Sequence, residues 1–182
     1  MYRVIKALNH NAVLVLDGSS QEYLIMGKGI GFGKKVSERI EPAPDSVVYS
    51  LQSVSERGKA KDLFKEIDPR YLEMADAVLN EAAKDFAHVD RGVLFPMADH
   101  IAFAVSRMRR GEIIANLLTQ DIQVLFYKEF KAASLVRRLL QEEEGLEVPD
   151  DEIGYVALHA HAATAGEKVS SAMQIAAAVR EC

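Results

Sequence analysis

Cysteine is all but missing from this chain: the only thiol among its 182 residues is that of Cys182. That excludes a disulfide framework and a thiolate metal site. Long apolar runs are missing too, since none approaches the ~20 residues of a membrane-spanning helix. Nothing at the start reads as a signal peptide. These absences lead to the expectation of a cytoplasmic protein without membrane insertion. Low-complexity tracts and short-period repeats are also lacking. What is present, 49% hydrophobic residues, suffices for one substantial core plus a small module.

Positive charge is scarce overall, with a net charge of −5, but it is unevenly placed. Residues 1–40 hold six basic side chains against three acidic ones, a local balance of +3, which leaves −8 for everything beyond residue 40. A basic segment on an acidic body fits a polyanion bound at one end. The excess is too modest for sequence-blind coating of nucleic acid.

The most informative stretch is Gly27-Lys28-Gly29-Ile30-Gly31-Phe32-Gly33-Lys34-Lys35. Glycines allow sharp bends and close approach to the backbone. The lysines suit phosphates, and Phe32 offers a face on which a base can stack. A phosphate-binding P-loop is excluded by spacing, because Lys28 stands where its first glycine belongs and Lys35 where its Ser or Thr belongs. The dinucleotide fingerprint fails as well, since Phe32, Lys34 and Val36 fall at its third glycine. From the loop alone, a glycine-rich hairpin connection with solvated lysines fits equally well.

Three runs with strand character precede the loop, Tyr2 to Leu8, Ala12 to Leu16 and Glu22 to Met26, separated by Asn9-His10-Asn11 and Asp17-Gly18-Ser19-Ser20. A fourth, Val47 to Leu51, follows Pro42-Ala43-Pro44-Asp45. Four strands in about fifty residues predict a small antiparallel sheet that one protomer hardly buries alone, so a homodimer is expected.

The remainder predicts helices. Asp68-Pro69 supplies a cap and a first-turn proline, and Leu72, Ala75, Leu79, Ala82 and Phe86 form one apolar face. Phe95 to Arg110 repeats the pattern through Ala98, Ile101, Val105 and Met108. One bent helix or two cover about Ile113 to Glu144. Pro149 and three acidic residues open another helix, and Val169 to Arg180 begins a further one. The layout is therefore a four-stranded β module over residues 1–55, a polar linker at 56–66, an all-α bundle at 67–170, and the start of another helix at 171–182.

Five histidines carry whatever chemistry the helical part has. His10 and His88 read as surface residues. A zinc site is not supported, for there is no H-E-x-x-H pair and no cysteine beside the set. No cofactor or metal is expected. His100 stands one position off the stripe containing Ile101. His159 stands likewise beside Ile153, Val156, Ala157 and Ala160. Both are expected at the edge of a buried helix face, held yet reachable.

Lys6, Asn9, Asn11, Met26-Gly27-Lys28-Gly29-Ile30-Gly31-Phe32 and Lys34-Lys35 resemble the co-antiterminator RNA-binding domain of the BglG/LicT/SacY family. Asp99-His100, Glu152-Ile153-Gly154-Tyr155 and Ala157-Leu158-His159 resemble the two histidine motifs of the phosphotransferase-system regulation domain that follows it there. The resemblance implies a dimeric four-stranded module that binds a hairpin in nascent messenger RNA and prevents an overlapping terminator from forming. It implies RNA contacts from Asn11, Gly27, Lys28 and Phe32, with Lys6, Asn9 and Gly29 as weaker candidates. It also implies that His100 and His159 accept phosphoryl groups from a phosphocarrier and the cytoplasmic domain of a sugar transporter. The phosphohistidines would repel their symmetry mates and lower antitermination. Such a protein is a regulator, not an enzyme.

Two departures stand out. Lys28 replaces a frequent arginine, losing the bidentate fork, and Ala160-His161-Ala162-Ala163 replaces a more aliphatic stretch, with His161 a weak third candidate acceptor. The family's second regulation domain has no room here, and a truncated chain is the expectation. A protein-binding sugar-system regulator, whose β module only dimerises, is the competing class.

Overall fold

The computed structural model describes residues 1–55, 58–166 and 168–181. Residues 56 and 57, where the expected linker begins, lie outside the described residues, as do Glu167 and Cys182. Apolar alternation builds β1 (Tyr2–Asn9), β2 (Ala12–Leu16) and β3 (Glu22–Met26). Asp17 shapes the second turn: its Oδ1 accepts from the N–H groups of Ser19 at 2.8 Å and Gln21 at 2.9 Å, the side-chain mimicry that makes aspartate a turn residue. Two further strands, β4 (Arg39–Ile40) and β5 (Val47–Ser50), complete one antiparallel sheet in the order β4-β1-β2-β3-β5. The sequence predicts four strands. The additional one is two residues long and too short to show alternation.

One sheet face gathers Val4, Val13, Val15, Ile25 and Ile40. The other presents Ala12, Leu24, Met26 and Tyr49 to a core shared with the helices. The helices of the same chain thus cover this face.

The described residues of the expected polar linker carry regular secondary structure. A hairpin of β6 (Val54–Ser55) and β7 (Gly58–Lys59) leads into α1 (Ala60–Glu66), which packs on a later helix. Only Ala60 is buried in α1, so no apolar stripe betrays it.

Next come α2 (Pro69–Ala82), a 3-10 turn at Arg91–Val93, and α3 (Leu94–Arg109). Asp68 caps α2 by accepting from the N–H of Arg70 at 2.9 Å. The segment expected as one or two helices is three: α4 (Thr119–Leu125), α5 (Tyr127–Ala133) and α6 (Leu135–Glu144). The first break falls at Phe126, whose backbone leaves the helical region at φ −119°, ψ 51° while its ring remains buried. Neither Gly nor Pro marks it. The last two helices are α7 (Asp150–Ala165) and α8 (Val169–Glu181). Helix α7 is central, packing on α3, α4, α5 and α8, and its alanines and Gly154 permit close approach. A Cβ on Gly154 would lie 3.0 Å from Nδ2 of Asn116. No described helix is long and apolar enough to cross a membrane.

Candidate nucleic-acid interface and histidine cavity

The β1–β2 turn and the loop after β3 form one surface, locked by a hydrogen bond within the turn and by others that loop N–H groups donate to it. Oδ1 of Asn9 accepts from the N–H of Asn11 at 2.9 Å, and Oδ1 of Asn11 accepts from the N–H of Gly29 at 2.9 Å. The carbonyls of His10 and Asn11 accept from Gly31 at 2.9 Å and Gly27 at 3.0 Å. Gly29 takes φ 73°, a left-handed conformation that favours glycine. Gly31 is required for a different reason: a Cβ there would sit 2.1 Å from the Asn9 carbonyl oxygen and 3.0 Å from that of Ala12.

On this platform Phe32 is 68% exposed, braced edge-on by the His10 ring at 5.1 Å. The hydrogen-bonded loop thus presents a large apolar ring to solvent. Asn9, Asn11, Gly27, Lys28, Gly29 and Phe32 therefore come together around the loop. Lys6 is exposed on β1 opposite Leu14 and is not among the partners in these bonds.

Gly31→Ala is expected to force the loop away from the β1–β2 turn, because both neighbours of the new methyl are backbone. Urea unfolding should show a loss of about 1–3 kcal/mol, with amide shifts concentrated at residues 9–12 and 27–33. An unchanged midpoint and spectrum would mean the loop is not clamped.

A residue on α2 reaches the same surface. Nδ2 of Asn9 donates to Oε2 of Glu73 at 3.0 Å, and Nδ2 of Asn11 donates to Oε1 of Glu73 at 2.7 Å. Asn11, Met26, Gly27, Lys28, Glu73 and Asp76 line a depression of about 200 Å³. Sequence reasoning missed Glu73, for one glutamate on a helix surface carries no motif.

The histidines lie elsewhere. His100 on α3 and His159 on α7 face each other with ring centroids 5.3 Å apart, and Tyr155 lies 5.7 Å from His100. They line a cavity of about 850 Å³ together with Ser53, Phe103, Arg107 and Met173 among others. Both are buried, at 7% and 5% exposure, rather than at an edge. The position beside each stripe is occupied because the 3-10 turn, β6 and α8 close over that side of the bundle, which a single helix's periodicity does not reveal.

Glu152 organises this wall. Arg107 donates to its Oε1 at 2.7 Å, and Nε2 of His100 lies 3.7 Å from its Oε2. Burial alone would push the carboxyl up, but His100 and Arg107 together outweigh it and hold Glu152 below its ordinary value of 4.5. The guanidinium of Arg107 also lies 4.9 Å from the Phe103 ring centroid. The two imidazoles and the partly buried Arg107 side chain thus line one cavity. His161 is different: its ring stacks on Phe126 at 3.9 Å, and its Nδ1 lies 2.8 Å from Glu129, the setting of a core histidine. No cluster of three or more His, Cys, Asp or Glu suited to a metal occurs among the described residues.

Residues 2–57 match the CAT RNA binding domain and residues 72–163 the PRD domain. The β module and helical bundle are therefore an RNA-binding module joined to a regulation module. The chain belongs to the PRD domain family, in the arrangement where a CAT domain precedes the PRD. It is 27% identical over 180 residues to the beta-glucoside operon antiterminator of Dickeya chrysanthemi, covering 98% of this chain and 64% of that protein. It is 25% identical to the transcription antiterminator LicT of Bacillus subtilis, covering 98% and 65%. Protein GlcT of Staphylococcus aureus is 30% identical over 161 residues, covering 87% and 56%. The crystal structure of GlcT CAT-PRDI superposes with a TM-score of 0.72 at 29% identity, covering 90% of this chain and 98% of that one. The chain thus spans less than two thirds of the length of these curated relatives.

Proposed function

We propose that this chain is the RNA-binding and first regulatory part of a transcriptional antiterminator, working as a homodimer in the cytoplasm. Residues 1–55 bind a hairpin in nascent messenger RNA, and residues 67–170 receive phosphoryl groups at His100 and His159. The donors are a phosphocarrier and the cytoplasmic domain of a sugar transporter, so the histidines are substrates of other proteins' chemistry. The observation that carries the reading is the exposed Phe32 on a loop locked to Asn11. The relatives named as antiterminators extend it from RNA binding to control of termination.

Binding of the leader hairpin by the full chain, followed by fluorescence anisotropy at several salt concentrations, tests this. Phe32→Ala should weaken binding by about 1–3 kcal/mol at every salt concentration, as the loss of one stacked base requires. Lys28→Ala should instead reduce the salt slope by about one phosphate. Parent-like affinity for Phe32→Ala would remove the loop from the RNA interface.

A further inference from the structure

We propose that Glu73 is an intramolecular plug of the RNA-binding surface, so that hairpin binding requires α2 to release Asn9 and Asn11. This rests on the reading of the loop as the RNA interface. Asparagine offers one carbonyl acceptor and two amide donors on the same side chain. In both residues the carbonyl is already committed: Asn9 Oδ1 to the N–H of Asn11 within the turn, and Asn11 Oδ1 to the N–H of Gly29 in the loop. The amide is the half left to face outward. That half is taken by one carboxylate, with one oxygen of Glu73 on each amide at 3.0 Å and 2.7 Å.

A carboxylate bridging two donors offers what a phosphate or a pair of base carbonyl oxygens on RNA would offer. It does so from the regulation domain.

The surroundings extend the likeness. Lys28 and Asp76 line the same depression as Asn11 and Glu73, so an acidic helix edge fills ground that a cationic loop would give to a polyanion. Asp76 is anchored there by the Tyr49 hydroxyl of β5, and Arg91 donates to Tyr49 at 3.3 Å and to Asn80 at 2.7 Å. This second set of contacts holds α2 against the sheet while Glu73 sits on the asparagines. RNA and α2 therefore compete for the same donors. Any event that loosens α2 from the sheet raises the fraction of molecules open to RNA, and the apparent affinity scales with that fraction.

The test uses the full chain and a hairpin isolated from a randomised-loop RNA pool on immobilised Glu73→Gln protein. Glu73→Gln removes the charge at nearly constant shape. Glu73→Ala is the second variant, since this half-buried position lies outside the core and alanine favours the helix. Both are expected to bind the hairpin about tenfold more tightly than the parent. Asn11→Ala should weaken binding in the parent and in the Glu73→Gln background alike. Equal or weaker affinity in both Glu73 variants, with Asn11→Ala still harmful, would overturn the plug and leave the RNA interface standing. Affinity indifferent to Asn11, or no hairpin retained at all, would overturn the plug together with the interface on which it rests.

Discussion

Arg107→Leu is expected to lower the unfolding free energy by about 3–5 kcal/mol at pH 7, the usual cost of leaving one partner of a buried ion pair without the other. Glu152 is 3% exposed, and its Oε1 takes a 2.7 Å hydrogen bond from Arg107. Without the guanidinium, burial of the carboxyl is opposed by His100 alone. The pH dependence follows from the sign of the shift. In the parent the Glu152 carboxyl lies below its ordinary 4.5. The stability it contributes is fully present above about pH 4.5 and lost as the pH falls through its lowered folded value. In the variant only His100 still opposes burial, so the carboxyl is held down less, takes up its proton at a higher pH than in the parent, and the gap between the two proteins narrows in acid. Urea unfolding at pH 7 and at about pH 4 measures both parts. A loss below about 1 kcal/mol at pH 7, or a gap that does not change with pH, would mean that Arg107 does not compensate Glu152.

Phosphorylating His100 should have a comparably large effect, because it brings nearly two negative charges into the wall that Glu152 occupies. With His100 Nε2 only 3.7 Å from Glu152 Oε2, the new group repels the carboxylate and draws Arg107 toward itself. A penalty of a few kcal/mol is enough to move a two-state molecule from one form to the other. Incubation with the phosphocarrier and the transporter's cytoplasmic domain, then mass spectrometry at neutral pH, is expected to map phosphohistidine to His100 and His159. Hairpin affinity should fall with the extent of labelling. His100→Asp should lower it without any donor, and the double replacement His100→Ala with His159→Ala should make it insensitive to the donors. Label confined to His10, His88 or His161 would move the regulatory site away from this cavity.

The sequence exposed the parts of this molecule that repeat or that break a pattern. Alternation located β1, β2, β3 and β5, and the three-and-four spacing of Leu72, Ala75, Leu79 and Ala82 matched a buried face of α2. The Gly27–Lys35 loop was legible because four glycines, three lysines and one aromatic stand together in nine residues. What escaped lacks local signal. Strand β4 has two residues, and the break at Phe126 carries neither Gly nor Pro. Gly31 appeared as one glycine among four, and only the carbonyl of Asn9 beside it shows why it tolerates no side chain. The burial of His100 and His159 depends on α8 and the 3-10 turn packing over α3 and α7. Glu73 became visible only when α2 lay against the β1–β2 turn, a juxtaposition more than sixty residues apart in sequence.

The most direct test of the central claim is read-through in a purified transcription reaction on a template whose leader hairpin overlaps an intrinsic terminator. Unphosphorylated chain should raise the full-length transcript in proportion to hairpin occupancy. Phe32→Ala should lose that effect at concentrations where the parent is saturating. A chain that binds the hairpin yet leaves termination unchanged, or that raises read-through equally with Phe32→Ala, would contradict it.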